Sequence, residues 1–260
     1  MQLISFNQVW RQALNDVLTR GQRVYPRGLE TRELQHYAVE IDMRAPVLTL
    51  PERQLSYIFM AAEAYWILSG DNRVETIAAY NKNIAKFSDD GLTFFGAYGP
   101  RIASQLDYVV AKLIADPDTR QAGLTIWRES PPATKDTPCT VAIWCQLRGG
   151  RLQLHVFMRS SDLWLGLPYD VFNFSMLGCL LSARLKVLPG QLYLTAASSH
   201  LYSSNFKAAL DCVDADHPEL NQPCLVPSEM YMDEMVLMST LDKLRTSHRG
   251  DELRWWEVRP

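Results

Sequence analysis

A cysteine in a Pro138-Cys139-Thr140 turn precedes Arg159-Ser160-Ser161-Asp162, then Gly166-Leu167-Pro168-Tyr169-Asp170, then His200-Leu201-Tyr202. Cys139 is a candidate nucleophile: the thiolate is the reactive form, and its pKa falls beside cationic groups. Arg159, across the adjacent strand region, could supply that charge and also bind an anion bidentately through its planar guanidinium. Glu63 sits inside an apolar segment, where a carboxyl can have the raised pKa that acid–base work near neutrality requires. Each residue also has an ordinary use. A lone cysteine is often a small buried hydrophobe, a glutamate at a core boundary pairs with an arginine, and Asp170 could cap a helix opening at Val171.

The elements that must position these groups can be read from periodicity. Ser5 and Gln8 form a capping box opening a helix through Phe6, Val9, Trp10, Ala13, Leu14, Val17 and Leu18, ended by Gly21. A second helix is predicted from about Glu52 to Leu68, a third from about Ala103 to Ala115, a fourth from about Val171 to Lys186, and a Met-rich one from Pro227-Ser228 to about Leu244. Val141, Ile143, Cys145 and Leu147 alternate, Gly149-Gly150 turns the chain, and Leu152, Leu154, Val156 and Met158 alternate back as a hairpin. Pro189-Gly190 breaks the fourth helix, and Gln191 to Ala197 reads as another strand. Helices alternating irregularly with a late cluster of strands give an α+β class, with helices on one face of a sheet.

The chain has 260 residues, 47% hydrophobic and 21% charged, with a net charge of −3. That is globular composition with scattered basic residues, which argues against a nucleic-acid footprint. No apolar run reaches the roughly 20 residues of a membrane span, and Met1-Gln2-Leu3-Ile4-Ser5 does not resemble a signal peptide, so a cytoplasmic location is expected, host cytoplasm if the chain is phage-encoded. Five cysteines form no CxxC pair, which disfavours a disulfide framework or zinc site and suits a reduced compartment. His36, His155, His217 and His248 lack metal-ligand spacing, so no metal is expected.

The order and spacing from Pro138 to Tyr202 resembles the catalytic half of thymidylate synthase, and the resemblance extends more loosely over residues 3–210. It implies a mixed sheet covered by helices on one face and used for dimerisation on the other, in one domain over residues 1–260 whose segment from about 211 to 260 diverges. It also implies that Cys139 adds to C6 of a pyrimidine nucleotide, with 5,10-methylenetetrahydrofolate as co-substrate for one-carbon transfer to C5. Arg27, Arg159 and Ser160 match phosphate-binding positions. Arg120 matches the first of two arginines donated by the partner subunit of a homodimer, the second being Gln121 here. His200 and Tyr202 match a sugar-binding pair, Glu63 and Tyr98 the groups near the ring, and Asp162 and Gly166 folate-facing positions.

Asp170 is the departure that matters, since thymidylate synthases carry Asn there. An amide matches uracil, whereas a carboxylate accepts from the N4 amino group of cytosine and from a protonated N3, and mismatched buried polar groups discriminate strongly. The implied substrate is therefore dCMP or a related cytosine nucleotide. Thymidylate synthases also place a tryptophan over the reacting carbon, and Tyr80-Asn81-Lys82-Asn83-Ile84-Ala85-Lys86-Phe87 contains none. With a different C-terminal tail, this favours water over hydride at the final step. A dCMP 5-hydroxymethylase is expected, with a dCMP 5-methyltransferase, a CMP hydroxymethylase and a non-catalytic nucleotide-binding protein as alternatives. The use of Trp255 and Trp256 is not evident.

Overall fold

In the computed structural model, which describes residues 3–215 and 221–247, α1 (Phe6–Arg20) opens with the expected capping box. The Ser5 side chain and Gln8 satisfy each other's backbone N–H groups, and Gly21 closes the helix. One sheet then organises the chain: β1 (Gln22–Val24), β2 (Thr31–Asp42), β3 (Gly123–Thr125), β4 (Thr140–Arg148), β5 (Arg151–Met158), β6 (Ser161–Asp162) and β7 (Leu188–Tyr202). Its order is β1-β2-β7-β5-β4-β3, with β6 beside β7. Neighbours are antiparallel except β5 with β7 and β6 with β7. The sheet is thus mixed, and the α+β expectation holds.

The β4–β5 hairpin turns at Gly149 and Gly150, with φ of 58° and 72°, the positive pair that a two-residue turn between twisted strands requires. Leu152, Leu154, Val156 and Met158 point to the helices and are buried. The intervening face carries Trp144 and Phe157, both exposed, and a stacked His155–Tyr193 pair with ring centroids 4.8 Å apart. Strand β2 was not legible in the sequence, because Thr31-Arg32-Glu33-Leu34-Gln35-His36 is polar on both faces. It pairs with β7 along nearly its full length. Strand β7 is longer than expected, since Pro189 and Gly190 lie within it.

The helical layer is α2 (Tyr57–Leu68), α3 (Val74–Ala78), α4 (Tyr98–Ala115), α5 (Leu167–Leu185), α6 (Phe206–Asp214), α7 (Glu229–Met232) and α8 (Glu234–Arg245). Helix α2 begins later than expected: Pro51–Arg53 is a separate 3-10 turn, Gln54 is left-handed, and Ser56 caps the helix. Helix α5 begins earlier, at Leu167, and almost every residue from Val171 to Ala183 is buried. It is the central core helix, apolar all round as such helices are. The Met-rich segment is two helices, because Asp233 caps the second by accepting from the Met235 and Val236 N–H groups. Arg184 of α5 holds Glu234 through two bonds of 2.8 and 2.7 Å. Among the described residues no helix is long and apolar enough to cross a membrane.

Helix α4 starts against the end of α2. A Cβ on Gly99 would lie 2.7 Å from the Asp71 carbonyl oxygen and 3.0 Å from that of Ile67, both backbone atoms that cannot swing aside. Gly99→Ala is therefore expected to destabilise the fold by about 1–3 kcal/mol, read as a lower midpoint in chemical denaturation. Tyr98, the preceding residue, should shift with it.

Candidate active site

Strand register explains how distant segments meet. Thr140 lies opposite Met158 across β4 and β5, which brings Cys139 and Arg159 face to face; the Arg159 N–H donates to the Cys139 carbonyl at 2.9 Å. Strand β6 lies on β7 with Ser161 opposite Ser199 and Asp162 opposite His200. Residues 159–162 and 198–202 thereby share one wall. The opposite wall comes from the helices: Glu63 from α2, Tyr98 from the first turn of α4, and Asp170 and Asn173 from the start of α5.

Cys139 stands where two cavities join. The outer cleft, about 1140 Å³, is lined by Arg27, Arg159, Ser160, Asp162, His200 and Tyr202 among others. The inner one, about 190 Å³, is lined by Glu63, Trp66, Phe87, Tyr98, Asp136, Asp170 and Asn173 among others. Cys139, Phe87, Asp136 and Thr137 belong to both. The arginines thus lie on one side of the thiol, while Glu63, Asp170 and Tyr98 lie on the other.

In the outer cleft, Arg159 is tied by Nε to the Pro138 carbonyl and by Nη2 to the Thr137 carbonyl, each at 2.9 Å. Its fork is oriented beside the cysteine before any ligand arrives. Arg27 has φ 54° and ψ 28°, an uncommon backbone state for a side-chain-bearing residue, and its Nη2 donates to the Tyr202 hydroxyl at 3.1 Å. Ser160 Oγ lies 3.5 Å from His200 Nδ1, and the His200 and Tyr202 rings meet edge to face. Burial lowers the His200 pKa despite nearby Asp162, so the ring is neutral and can accept as well as donate.

The inner cavity is unusual in holding carboxyls with little compensation. Glu63 accepts from Asn173 Nδ2 at 2.8 Å, and burial pushes its pKa up to about 7 against that bond. Its partner is an amide, so the alternative of a boundary glutamate paired with arginine does not hold. Asp170 is pushed up to about 8 by burial, then by repulsion from Glu63 and Asp162. Because α5 begins at Leu167, Asp170 lies within the first turn, and its N–H donates to the Gly166 carbonyl. It is not the cap of a helix opening at Val171. Its acid form therefore persists well above the usual carboxylate range.

Cys139 also differs from expectation. Its pKa is raised: burial outweighs the favourable Arg159 charge, and Asp170, Asp136 and Asp162 add to the burial effect. The resting group is the thiol. The other described cysteines are buried and in no disulfide among the described residues. Tyr98 is likewise held protonated, chiefly by burial, and its hydroxyl meets the Thr140 N–H at 3.3 Å and Oγ1 at 3.1 Å.

Asp162 turns one carboxylate oxygen inward, accepting from the Trp164 and Leu165 N–H groups at 2.8 and 2.9 Å, which leaves the second oxygen for the cleft. Gly166 lines neither cavity. A Cβ there would sit 3.3 Å from Asp170 Oδ2 and from the Asp162 carbonyl, so its missing side chain makes room for the aspartate. Arg120 is exposed and lines neither cavity; its carbonyl accepts from the Trp144 indole at 3.0 Å. Trp255, Trp256, His217 and His248 lie outside the described residues. Among the described residues no group of three or more His, Cys, Asp or Glu could hold a metal ion.

Four residues of the site were missed in the sequence. Asn173 follows Asp170 by one helical turn and could have been found from that spacing. Asp136, three residues before the cysteine, and Trp66, one turn after Glu63, gave no distinct signal. Phe87 belongs to the segment noted for lacking tryptophan, yet it places an aromatic ring, 43% exposed, at the junction beside Cys139.

The thymidylate synthase family model matches residues 8–226. A deoxyuridylate hydroxymethyltransferase of Bacillus phage SP01 is 32% identical over 226 residues, covering 78% of this chain and 58% of that protein. A thymidylate synthase of Pseudomonas fluorescens (strain SBW25) is 26% identical over 227 residues, covering 75% and 80%. A deoxyuridylate hydroxymethyltransferase of Pseudomonas phage M6 is 33% identical over 166 residues, covering 60% and 47%. The matched region thus spans about half the length of the phage proteins.

Proposed function

This chain belongs to the thymidylate synthase family, and from that premise we propose that it transfers a one-carbon unit to C5 of dCMP and releases the 5-hydroxymethyl product. The observation that carries the reading is a carboxyl, Asp170, lining the same cavity as Cys139, Glu63 and Asn173, where burial favours its acid form. The phosphate lies with Arg27 and Arg159, the sugar with His200 and Tyr202, and the base enters the inner cavity. Neutral Asp170 donates its O–H to cytosine N3 and accepts from the N4 amino group. The Cys139 thiol passes its proton to Glu63 as sulfur bonds to C6, and N3, becoming basic, takes the Asp170 proton. The resulting carboxylate faces two donors, and C5 becomes the nucleophile. This revises the expectation of a carboxylate from the outset: the acid is needed first, the carboxylate afterwards.

Methylenetetrahydrofolate supplies the one-carbon unit when bound. Asp162, Leu165 and Phe87 line the cleft next to Cys139 and offer a free carboxylate oxygen and two apolar surfaces, a set that suits a pterin ring. Glu63, poised near neutrality, is the group able to take a proton and return it within one turnover. The exposed Trp144 and Phe157 suit a sheet face buried against a second copy. Arg120, held beside Trp144 and away from its own cleft, is free to reach the partner's phosphate.

A second reading, transfer to dUMP, is favoured by the same neutral Asp170, which in the resting state can accept from uracil N3–H and donate to O4, and by the names of the phage relatives. The two separate at the proton transfer, since uracil has no ring nitrogen to receive it. Incubating the protein with methylenetetrahydrofolate and equal dCMP and dUMP, then identifying products by mass spectrometry, tests this. Hydroxymethylated dCMP with tetrahydrofolate is expected. Faster loss of dUMP would overturn the base assignment, and a methylated product with dihydrofolate would overturn the water step.

The two carboxyls set an expected pH profile. Glu63 acts as base and must ionise, so activity falls as pH drops below about 7. Asp170 acts as acid and must stay protonated, so activity falls as pH rises above about 8. The profile of kcat/KM for dCMP should be a narrow bell whose limbs belong to the coupled pair. Glu63→Gln should remove the acid limb and lower the maximum by about 10²–10⁴-fold.

A further inference from the structure

Resting on the hydroxymethylase reading, we propose that Asp136 is the third catalytic carboxylate of the site, the base that deprotonates the water attacking the one-carbon unit. Asp136 lines both cavities together with Cys139 and Phe87, so it borders the place where the reacting carbon must lie. Its position is built. Oδ2 accepts from the Gly96 N–H at 2.6 Å, and its own N–H donates to Thr134 Oγ1 at 3.0 Å. A Cβ on Gly96 would lie 2.4 Å from the Asp136 carbonyl oxygen and 2.9 Å from Oδ2, so only glycine leaves room for this carboxyl. Oδ1 accepts no hydrogen bond from the described residues.

The cavity beside it is equipped for water. Among the described residues, Trp66 Nε1 and Asn173 Oδ1 are buried with no hydrogen-bond partner, in residues 6% and 5% exposed that line the inner cavity. Buried donors and acceptors in native proteins are almost always satisfied, and a small shift of either side chain would offer these two atoms to water entering the cavity. Phe87 and Phe94 supply apolar wall, but a carboxylate, an amide and an indole N–H remain to hold solvent. Burial raises the Asp136 pKa, which strengthens it as a base relative to an exposed aspartate.

The step balances. Water oxygen bonds to the exocyclic methylene carbon on C5, and its proton goes to Asp136. The exocyclic C=C electron pair moves into the ring and then expels the Cys139 thiolate from C6, restoring the C5–C6 double bond. The Asp136 proton finally returns to the thiolate.

The test uses the intact chain with Asp136→Asn and Asp136→Gly. Asp136→Asn should lower hydroxymethylated product by about 10²-fold or more. Release of the C5 hydrogen in the first turnover should persist, as should the covalent complex trapped with 5-fluoro-dCMP and methylenetetrahydrofolate. Formate should restore product to Asp136→Gly. Gly96→Ala, which displaces the carboxyl without removing it, should show the same selective loss and serves if the other variants fail to fold. Product within a few-fold of wild type, or loss of the trapped complex in parallel with product, would overturn the assignment. If wild-type protein makes no hydroxymethylated nucleotide, the functional reading fails instead, and the two failures are distinct.

Discussion

Asp170→Asn is expected to abolish turnover of dCMP and to confer or raise turnover of dUMP, changing the ratio of the two kcat/KM values by about 10³-fold or more. The effect on dCMP should appear in kcat and not in binding. An amide rotated by half a turn can still donate to N3 and accept from the N4 amino group, so the nucleotide is held. It cannot give up a proton, and the C6 adduct is left with an unprotonated N3 and a weakly nucleophilic C5. Losses confined to the chemical step report an interaction made only in the transition state. With uracil the amide accepts from N3–H and donates to O4 throughout, and no proton has to move. Steady-state kinetics with both nucleotides would check this; unchanged preference would mean that Asp170 does not read the base.

The same substitution should stabilise the protein at neutral pH. Burial pushes the Asp170 pKa up to about 8 in the folded state, against an ordinary 3.8, so the folded state keeps a proton that the unfolded chain releases. Its contribution to stability is therefore lost progressively as pH rises from about 3.8 to about 8. An amide carries no such linkage. Thermal denaturation across this window should show wild type weakening more steeply than the variant, the expected pattern where a site is kept for function at the expense of stability.

Cys139→Ala is expected to lower turnover by at least about 10⁴-fold. It should leave nucleotide affinity nearly intact. Without the thiol no bond to C6 forms, C5 stays non-nucleophilic, and the later steps have nothing to act upon. The phosphate and sugar contacts lie on Arg27, Arg159, His200 and Tyr202, and the Arg159 anchors are backbone carbonyls of Thr137 and Pro138 that the substitution leaves in place. Calorimetric titration with dCMP and denaturing mass spectrometry for a covalent complex would separate the effects. Wild-type turnover without the thiol would remove the basis of the mechanism.

How much of this was legible in the sequence differs by element. The β4–β5 hairpin, α1 and the core of α5 carry strong periodicity or decisive turn residues, and they formed where expected. Strand β2 did not announce itself because its first half is polar on both faces; its place comes from pairing with β7, a contact distant in the chain. Helices α2 and α5 start away from their expected positions for local reasons, a left-handed Gln54 and a helix that begins at Leu167-Pro168 on a Gly166 without a side-chain cap. Site residues within recognisable motifs line the cavities at Cys139, apart from Arg120 and Gly166. What spacing alone could not give was protonation. Arg159 suggested an ionised thiol, but three carboxyls and burial reverse that, and their convergence is a property of the folded chain only. Asp136, Trp66 and Phe87 were hidden for the same reason: each is an ordinary residue until β4, α2 and the loop before α4 bring them to one cavity.

The central claim is tested most directly by a crystal structure of the protein with 5-fluoro-dCMP and methylenetetrahydrofolate. The account requires the Asp170 carboxyl within hydrogen-bonding distance of both N3 and N4, with Cys139 Sγ bonded to C6. An Asp170 side chain turned away from the base, or a thiol out of bonding range of the ring, would contradict it.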